Sequence, residues 1–150
     1  MIANKAFTVL MTILAFSALN KMALADERAL VDMPAPMQEH LLGNMRDHLH
    51  VLDDILSALA VGDAGRAGAI AEARLGLSSL DDHGAAHMAP FMPEGMRAIG
   101  TELHHTASRF SQVAANADVE QTIEAQNSVF GALQNITATC NACHDGYRIR

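Results

Sequence analysis

The chain has 150 residues, half of them hydrophobic but only 4% aromatic, with no Trp and a formal charge of -7. That length suits one domain, and a core of Leu, Ile, Met, Val and Ala suits helices packed on helices better than a β-sandwich. The acidity argues against a nucleic-acid-binding module, which needs a basic face, and the apolar half with only 18% charged residues excludes a disordered chain.

Lys5 gives a short positive start, Ala6 to Leu19 is apolar apart from Thr8, Thr12 and Ser17, and Ala23-Leu24-Ala25 is a small-x-small cleavage site followed by Asp26-Glu27. This is the layout of a secretory signal peptide over residues 1–25, with an apolar core too short to span a bilayer comfortably. The competing reading is an uncleaved N-terminal anchor. Cleavage removes both lysines, Lys5 and Lys21, which takes the charge from -7 to -9 and leaves Arg as the only strong base. No other stretch reaches transmembrane length, so residues 26–150 are expected to form one exported domain, periplasmic and off the membrane.

Pro34 and Pro36 mark an extended lead-in to a first helix. Its apolar or near-apolar positions recur in steps of three and four as Met37, Leu41, Met45, His48, Leu52, Ile55 and Leu59. Gly62 stops it and Asp63 can cap a second helix, roughly Ala64 to Leu80, with Ile70, Leu77 and Leu80 as its larger core residues and three weakening glycines. Residues 81–93, with two prolines and a glycine, predict an irregular connection with at most a short helical turn. Pro93-Glu94 opens a third helix with the stripe Met96, Ile99, Leu103, Thr106, Phe110 and Val113. Asp118 is the expected cap of the last helix, whose stripe runs Val119, Ile123, Gln126, Phe130, Leu133, Thr137, Cys140, His144 and Tyr147. No strand pattern is visible. The expected fold is all-α, an antiparallel up-down-up-down four-helix bundle. Such a topology puts the start of helix one, the 81–93 connection and the end of helix four at one end.

Cys140-Asn141-Ala142-Cys143-His144 is Cys-x-x-Cys-His, the attachment sequence of c-type haem. On a helix, positions i, i+3 and i+4 share a face, so two thiols can form thioethers with the vinyl groups of haem c while the next imidazole takes the iron. A disulfide across so short a loop gives little entropic stabilisation. A thiol oxidoreductase places its motif at a helix N-terminus, whereas this one closes a helix. Zinc on Cys140, Cys143 and His144 would lack a ligand and the wider spacing of zinc fingers.

A four-helix chain that ends in this motif, with Arg148 four residues after His144, resembles the cytochrome c-prime family and its methionine-ligated relatives. The specific likeness is confined to the run from Cys140 to Arg148. It implies covalent haem on Cys140 and Cys143, iron ligation by His144, and Arg148 beside the proximal face. The family holds both five-coordinate gas-binding proteins and six-coordinate electron carriers, and dimers are common in it. Its Arg in helix one, a turn before the distal residue, has no counterpart here, because Leu41 stands there.

The sixth iron position divides these functions. A vacant apolar site would bind nitric oxide or carbon monoxide, whereas a Met thioether raises the potential and makes a low-spin electron relay. Met45, about two turns into helix one and on its stripe, is the expected ligand. His48 is the alternative and would give a bis-His centre of lower potential. Met88 and Met92 are expected near the haem edge, and His83 and His87, half a metal site at i, i+4, read as surface residues. No catalytic set or phosphate loop appears, so the chain reads as an electron carrier rather than an enzyme. Its partner is expected to be a redox protein with a basic docking patch. Besides the gas-binding protein, a haem-free metal- or thiol-binding bundle remains as an alternative of another class.

Overall fold

The computed structural model describes residues 26–150, so the expected signal peptide lies outside the described residues. Within them the chain is all-α in class. A two-residue strand, β1 (Ala29–Leu30), leads to helix α1 (Ala35–Ala60), α2 (Ala64–Leu75), the single turn α3 (Ala85–Met88), α4 (Glu94–Glu120) and α5 (Ile123–Gly146), and β2 (Tyr147–Arg148) closes the chain. No described helix is long and apolar enough to cross a membrane.

The helix boundaries follow local chemistry. Pro34 and Pro93 stand at the N-caps of α1 and α4, where the missing proline N–H is not needed. After α1, Gly62 takes the left-handed conformation at φ 79°. Asp63 then caps α2 by accepting a bond from the Arg66 amide at 2.9 Å. The second helix stops at Leu75, five residues before the expected end. Gly76 is extended there, and a 3-10 turn, Leu77–Ser79, follows. Leu77 is consequently 41% exposed, and the inward face of α2 is built from Ala67, Gly68, Ala71 and Leu75. Gly68 is required by proximity: a Cβ there would stand 3.0 Å from Ala114 Cβ and from the Ser111 carbonyl of α4.

The last helix also departs from expectation. Asp118 lies inside α4, which runs on to Glu120 and ends at Gln121 in the left-handed region (φ 51°). Thr122 caps α5 instead, its hydroxyl accepting from the Ala125 amide at 3.0 Å. The buried stripe of α5 is Ala125, Val129, Leu133 and Ile136, continued by the partly buried Cys140. Val119, Ile123 and Phe130 are 84%, 72% and 55% exposed.

Helix α1 packs on α2, α2 on α4, and α4 on α5. All four contribute to one core around Phe110, with Val51, Ile55, Leu75, Val129 and Ile136 among its fully buried side chains. On one edge, Arg74 of α2 reaches Asp47 and Asp54 of α1 at 2.6 and 2.7 Å. These exposed pairs contribute little beyond register.

Contrary to the strand-free expectation, β1 and β2 pair in parallel, Ala29 with Tyr147 and Leu30 with Arg148. The Val31 amide extends the ladder to the Arg148 carbonyl at 2.8 Å. The segment before α1 thus straps the end of α5.

Candidate functional site

Cys140, Cys143 and His144 occupy the last two turns of α5, before its C-cap at Tyr147. Both thiols are unpaired and half-buried, and they face different surroundings. Cys140 packs on the main core, whereas Cys143 packs on a second apolar cluster formed by Val31, Met33, Leu41, Met88 and Met96. Met37, Met45, Met92, Tyr147 and Ile149 line that cluster's edge. All six methionines of residues 26–150 belong to it. The start of α1, the 81–93 connection and the end of α5 therefore meet at one place, as the sequence predicts. Thioether side chains are flexible and polarisable, so the wall they make adapts to the shape of whatever lies against it.

Burial pushes both thiols upward in pKa, Cys143 further under the influence of Cys140. Reactive thiols are shifted the other way, so the pair lacks the electrostatics of a dithiol redox centre. His144 projects its side chain to an exposed position. Its carbonyl accepts a 3.4 Å bond from Arg28. Arg28 also grips Asp26 at 2.6 Å, and Arg148 Nε stands 3.6 Å from the same carboxylate. The Arg28 guanidinium, with smaller help from Arg148, holds the Asp26 carboxyl down to about 2. Arg148 Nε is buried with no hydrogen-bond partner.

The expected ligands and neighbours fall into three places. Met45, Met88 and Met92 gather with Cys143 in the methionine cluster. Arg148 lies in β2 beside the N-terminal strap. His48 lies one turn deeper on α1, buried, with its Nε2 unpartnered. Burial, then the neighbouring His83, lowers the His48 pKa to about 4.

His83 requires a correction. It is half-buried rather than a surface residue, because His40 Nε2 and the Asn44 amide of α1 both bond to its backbone carbonyl, at 3.0 and 2.9 Å, and draw the loop inward. Its ring packs edge-on to His48, with centroids 5.0 Å apart, and lies 5.3 Å from the ring of His104 on α4. His104, which sequence reasoning missed, is buried and bonds through Nδ1 to the Gly76 carbonyl at 3.0 Å. Its signal was its place three residues before Ala107, on the flank of the α4 stripe. His87 is exposed, as expected.

A shallow groove between α4 and α5, lined by Ile99, Thr106, Asn135 and Ala142, holds none of these donor side chains. The ion pair of Glu102 with Arg109 lies along it.

No protein-family model, curated protein or solved structure matches this chain.

The residues present fit a haem on two grounds. The donor set is two unpaired neutral thiols one turn apart with an imidazole immediately after them, and the inner thiol abuts an apolar, deformable wall of thioethers. Such a wall would offer a porphyrin a hydrophobic face, and its thioethers are of the soft kind that iron accepts.

Proposed function

We propose that this chain is a periplasmic monohaem c-type cytochrome that carries electrons, built as an antiparallel up-down-up-down four-helix bundle. The observation that carries the reading is the convergence of Cys143, with Cys140 and His144 beside it, on the cluster holding every methionine of residues 26–150. The successive packing of α1, α2, α4 and α5 supports the bundle.

In this reading Cys140 and Cys143 would hold haem c through thioethers, and His144 and Met45 would be the ligands of its iron. When bound, the haem would supply reversible one-electron transfer between ferric and ferrous iron, with a potential set by those ligands and by burial. The chain's own residues do the rest. The methionine cluster excludes water from one side, which disfavours charge there and raises the potential. The strap Ala29–Val31 and the Arg28 bond to the His144 carbonyl hold the backbone at the end of α5. A rigid ligand frame suits an electron carrier, since a site that does not move between oxidation states has little to reorganise.

The test is the absorption spectrum of the purified exported protein in both oxidation states. Sharp low-spin bands in the reduced form, unchanged by carbon monoxide, are expected. A high-spin ferrous spectrum that shifts at once with carbon monoxide would establish the gas-binding alternative, and a colourless protein would leave the haem-free bundle.

A further inference from the structure

The three histidines brought together by α1, the 81–93 loop and α4 are used by nothing in the electron-carrier reading. The hydrogen bonds of two of them, His104 and His83, fix which of their ring nitrogens are free. The Gly76 carbonyl can only accept, so the proton of His104 is on Nδ1 and its Nε2 carries a lone pair. Ser79 gives its own hydroxyl proton to that same carbonyl at 2.8 Å, so at 3.5 Å from His83 Nδ1 its oxygen is left to accept. This too leaves Nε2 of His83 as the lone pair. His48 Nε2 is buried with no partner, on a residue only 9% exposed. An orphaned ring nitrogen in such a place is costly unless something meets it.

Histidines whose Nδ1–H is held by a protein oxygen while Nε2 points away are built as metal ligands are built. The ring spacing agrees. Three imidazoles bound through Nε2 at about 2.0 Å around a tetrahedral cation have centroids roughly 5 Å apart, and two of the three pairs here stand at that distance, His48–His83 at 5.0 Å and His83–His104 at 5.3 Å. Among the described residues no three His, Cys, Asp or Glu side chains are placed to hold a metal ion as they stand, so closing the site takes ring rotation. His83 is the ring with room to turn: it is half-buried, sits on a loop held through its backbone carbonyl, and gives up only the long 3.5 Å contact with Ser79.

We propose that His48, His83 and His104 form a three-imidazole site for a borderline divalent cation, with zinc as the probe, separate from the haem ligands Cys140, Cys143, His144 and Met45. The fourth position would be left to water or a small anion. Such an ion would tie α1, the loop and α4 together beside the methionine cluster.

The purified exported protein, with its haem, is titrated with zinc by calorimetry and then studied by X-ray absorption at the zinc edge. One equivalent is expected, with imidazole scattering from three nitrogens at about 2.0 Å. His104→Asn and His83→Asn should each weaken binding by more than the ~10- to 100-fold that loss of a supporting partner costs. His105→Asn, on the exposed neighbour, should leave binding unchanged. The absorption measurement on the unaltered protein counts imidazoles without any variant, so a misfolded mutant does not decide the matter. Absence of stoichiometric zinc, a shell without three imidazoles, or equal loss in His105→Asn and His104→Asn would each overturn the proposal. A haem spectrum showing two imidazoles on iron, abolished by His48→Ala, would overturn it as well by assigning His48 to the haem. A colourless protein that still binds zinc would refute the cytochrome reading alone.

Discussion

Met45 and Gly68 expose the two kinds of demand this fold makes on single residues. Met45 is half-buried against the cluster that receives Cys143, and the account gives it the iron. Replacing it with Ala should turn a low-spin spectrum high-spin and open the iron to carbon monoxide; an unchanged spectrum would remove Met45 from the site. Gly68 answers to packing. Ala at this helical position gains about 1 kcal/mol in propensity. It must also push Ala114 and the Ser111 backbone apart from a 3.0 Å contact, an overpacking cost of about 1–3 kcal/mol. The denaturant midpoint of Gly68→Ala should therefore fall. The same change at Gly100 or Gly131, each within a helix with nothing within 4 Å of the new Cβ, should raise it; the reverse ordering would contradict the packing described. At this scale the sequence is most legible where chemistry is tied to spacing. The Cys-x-x-Cys-His spacing of Cys140, Cys143 and His144 is plain in the sequence, and Met45 lies on a readable stripe. His104 does not, because a polar residue on the flank of an apolar face looks the same whether it points outward or inward. Only its carbonyl partner at Gly76, 28 positions away in sequence, decides.

Among the elements, α1 and α4 keep part of the stripes their sequences announce: Leu41, His48 and Ile55 on α1 and Met96, Leu103, Thr106 and Phe110 on α4 are buried. Val51 and Ala58, and Ala107, Ala114 and Ala117, complete the inward faces, while Leu52, Leu59, Ile99 and Val113 are only partly covered. The last helix departs further. It is apolar on more than one side, and choosing its largest residues selects Val119, Ile123 and Phe130, which the fold leaves exposed. The true inward face uses Ala125 and Val129 because α4 presents Ala107, Ala114 and Ala117 to the core, and small residues on one helix allow only close, small partners on the next. The paired strands were illegible for another reason: two residues have no period to detect. Asp26 stands beside their ladder, on Arg28 and 3.6 Å from Arg148, and its carboxyl is held down to about 2 chiefly by Arg28. A carboxylate lowered on folding contributes stability that is complete above its ordinary value of 3.8 and is lost as the pH falls toward 2. Hydrogen exchange at the Val31 amide should accordingly show protection that is constant from neutral pH down to about 4 and weakens below it. Asp26→Asn should remove that acid-dependent step; protection lost already at pH 6 would contradict the role given to Asp26.

For the molecule as a whole, the charge of -7, or -9 without residues 1–25, bears on encounter rather than on folding. If the partner presents a basic patch, the association rate should fall steeply as ionic strength rises and the Debye length drops below about 10 Å; a rate indifferent to salt would remove electrostatic steering from the account. The convergence of the start of α1, the 81–93 loop and the end of α5 follows from connectivity, which is why the location of the site, with Met45, Met88 and Met92 beside it, could be read from sequence while Met33, just before α1, could not. Everything assigned to that end depends on a porphyrin joined to Cys140 and Cys143. The most direct measurement is the intact mass of the exported chain after acid–acetone extraction. The account predicts the polypeptide plus one covalently retained haem, lost when both cysteines are replaced by Ala. A mass equal to the bare polypeptide would contradict it.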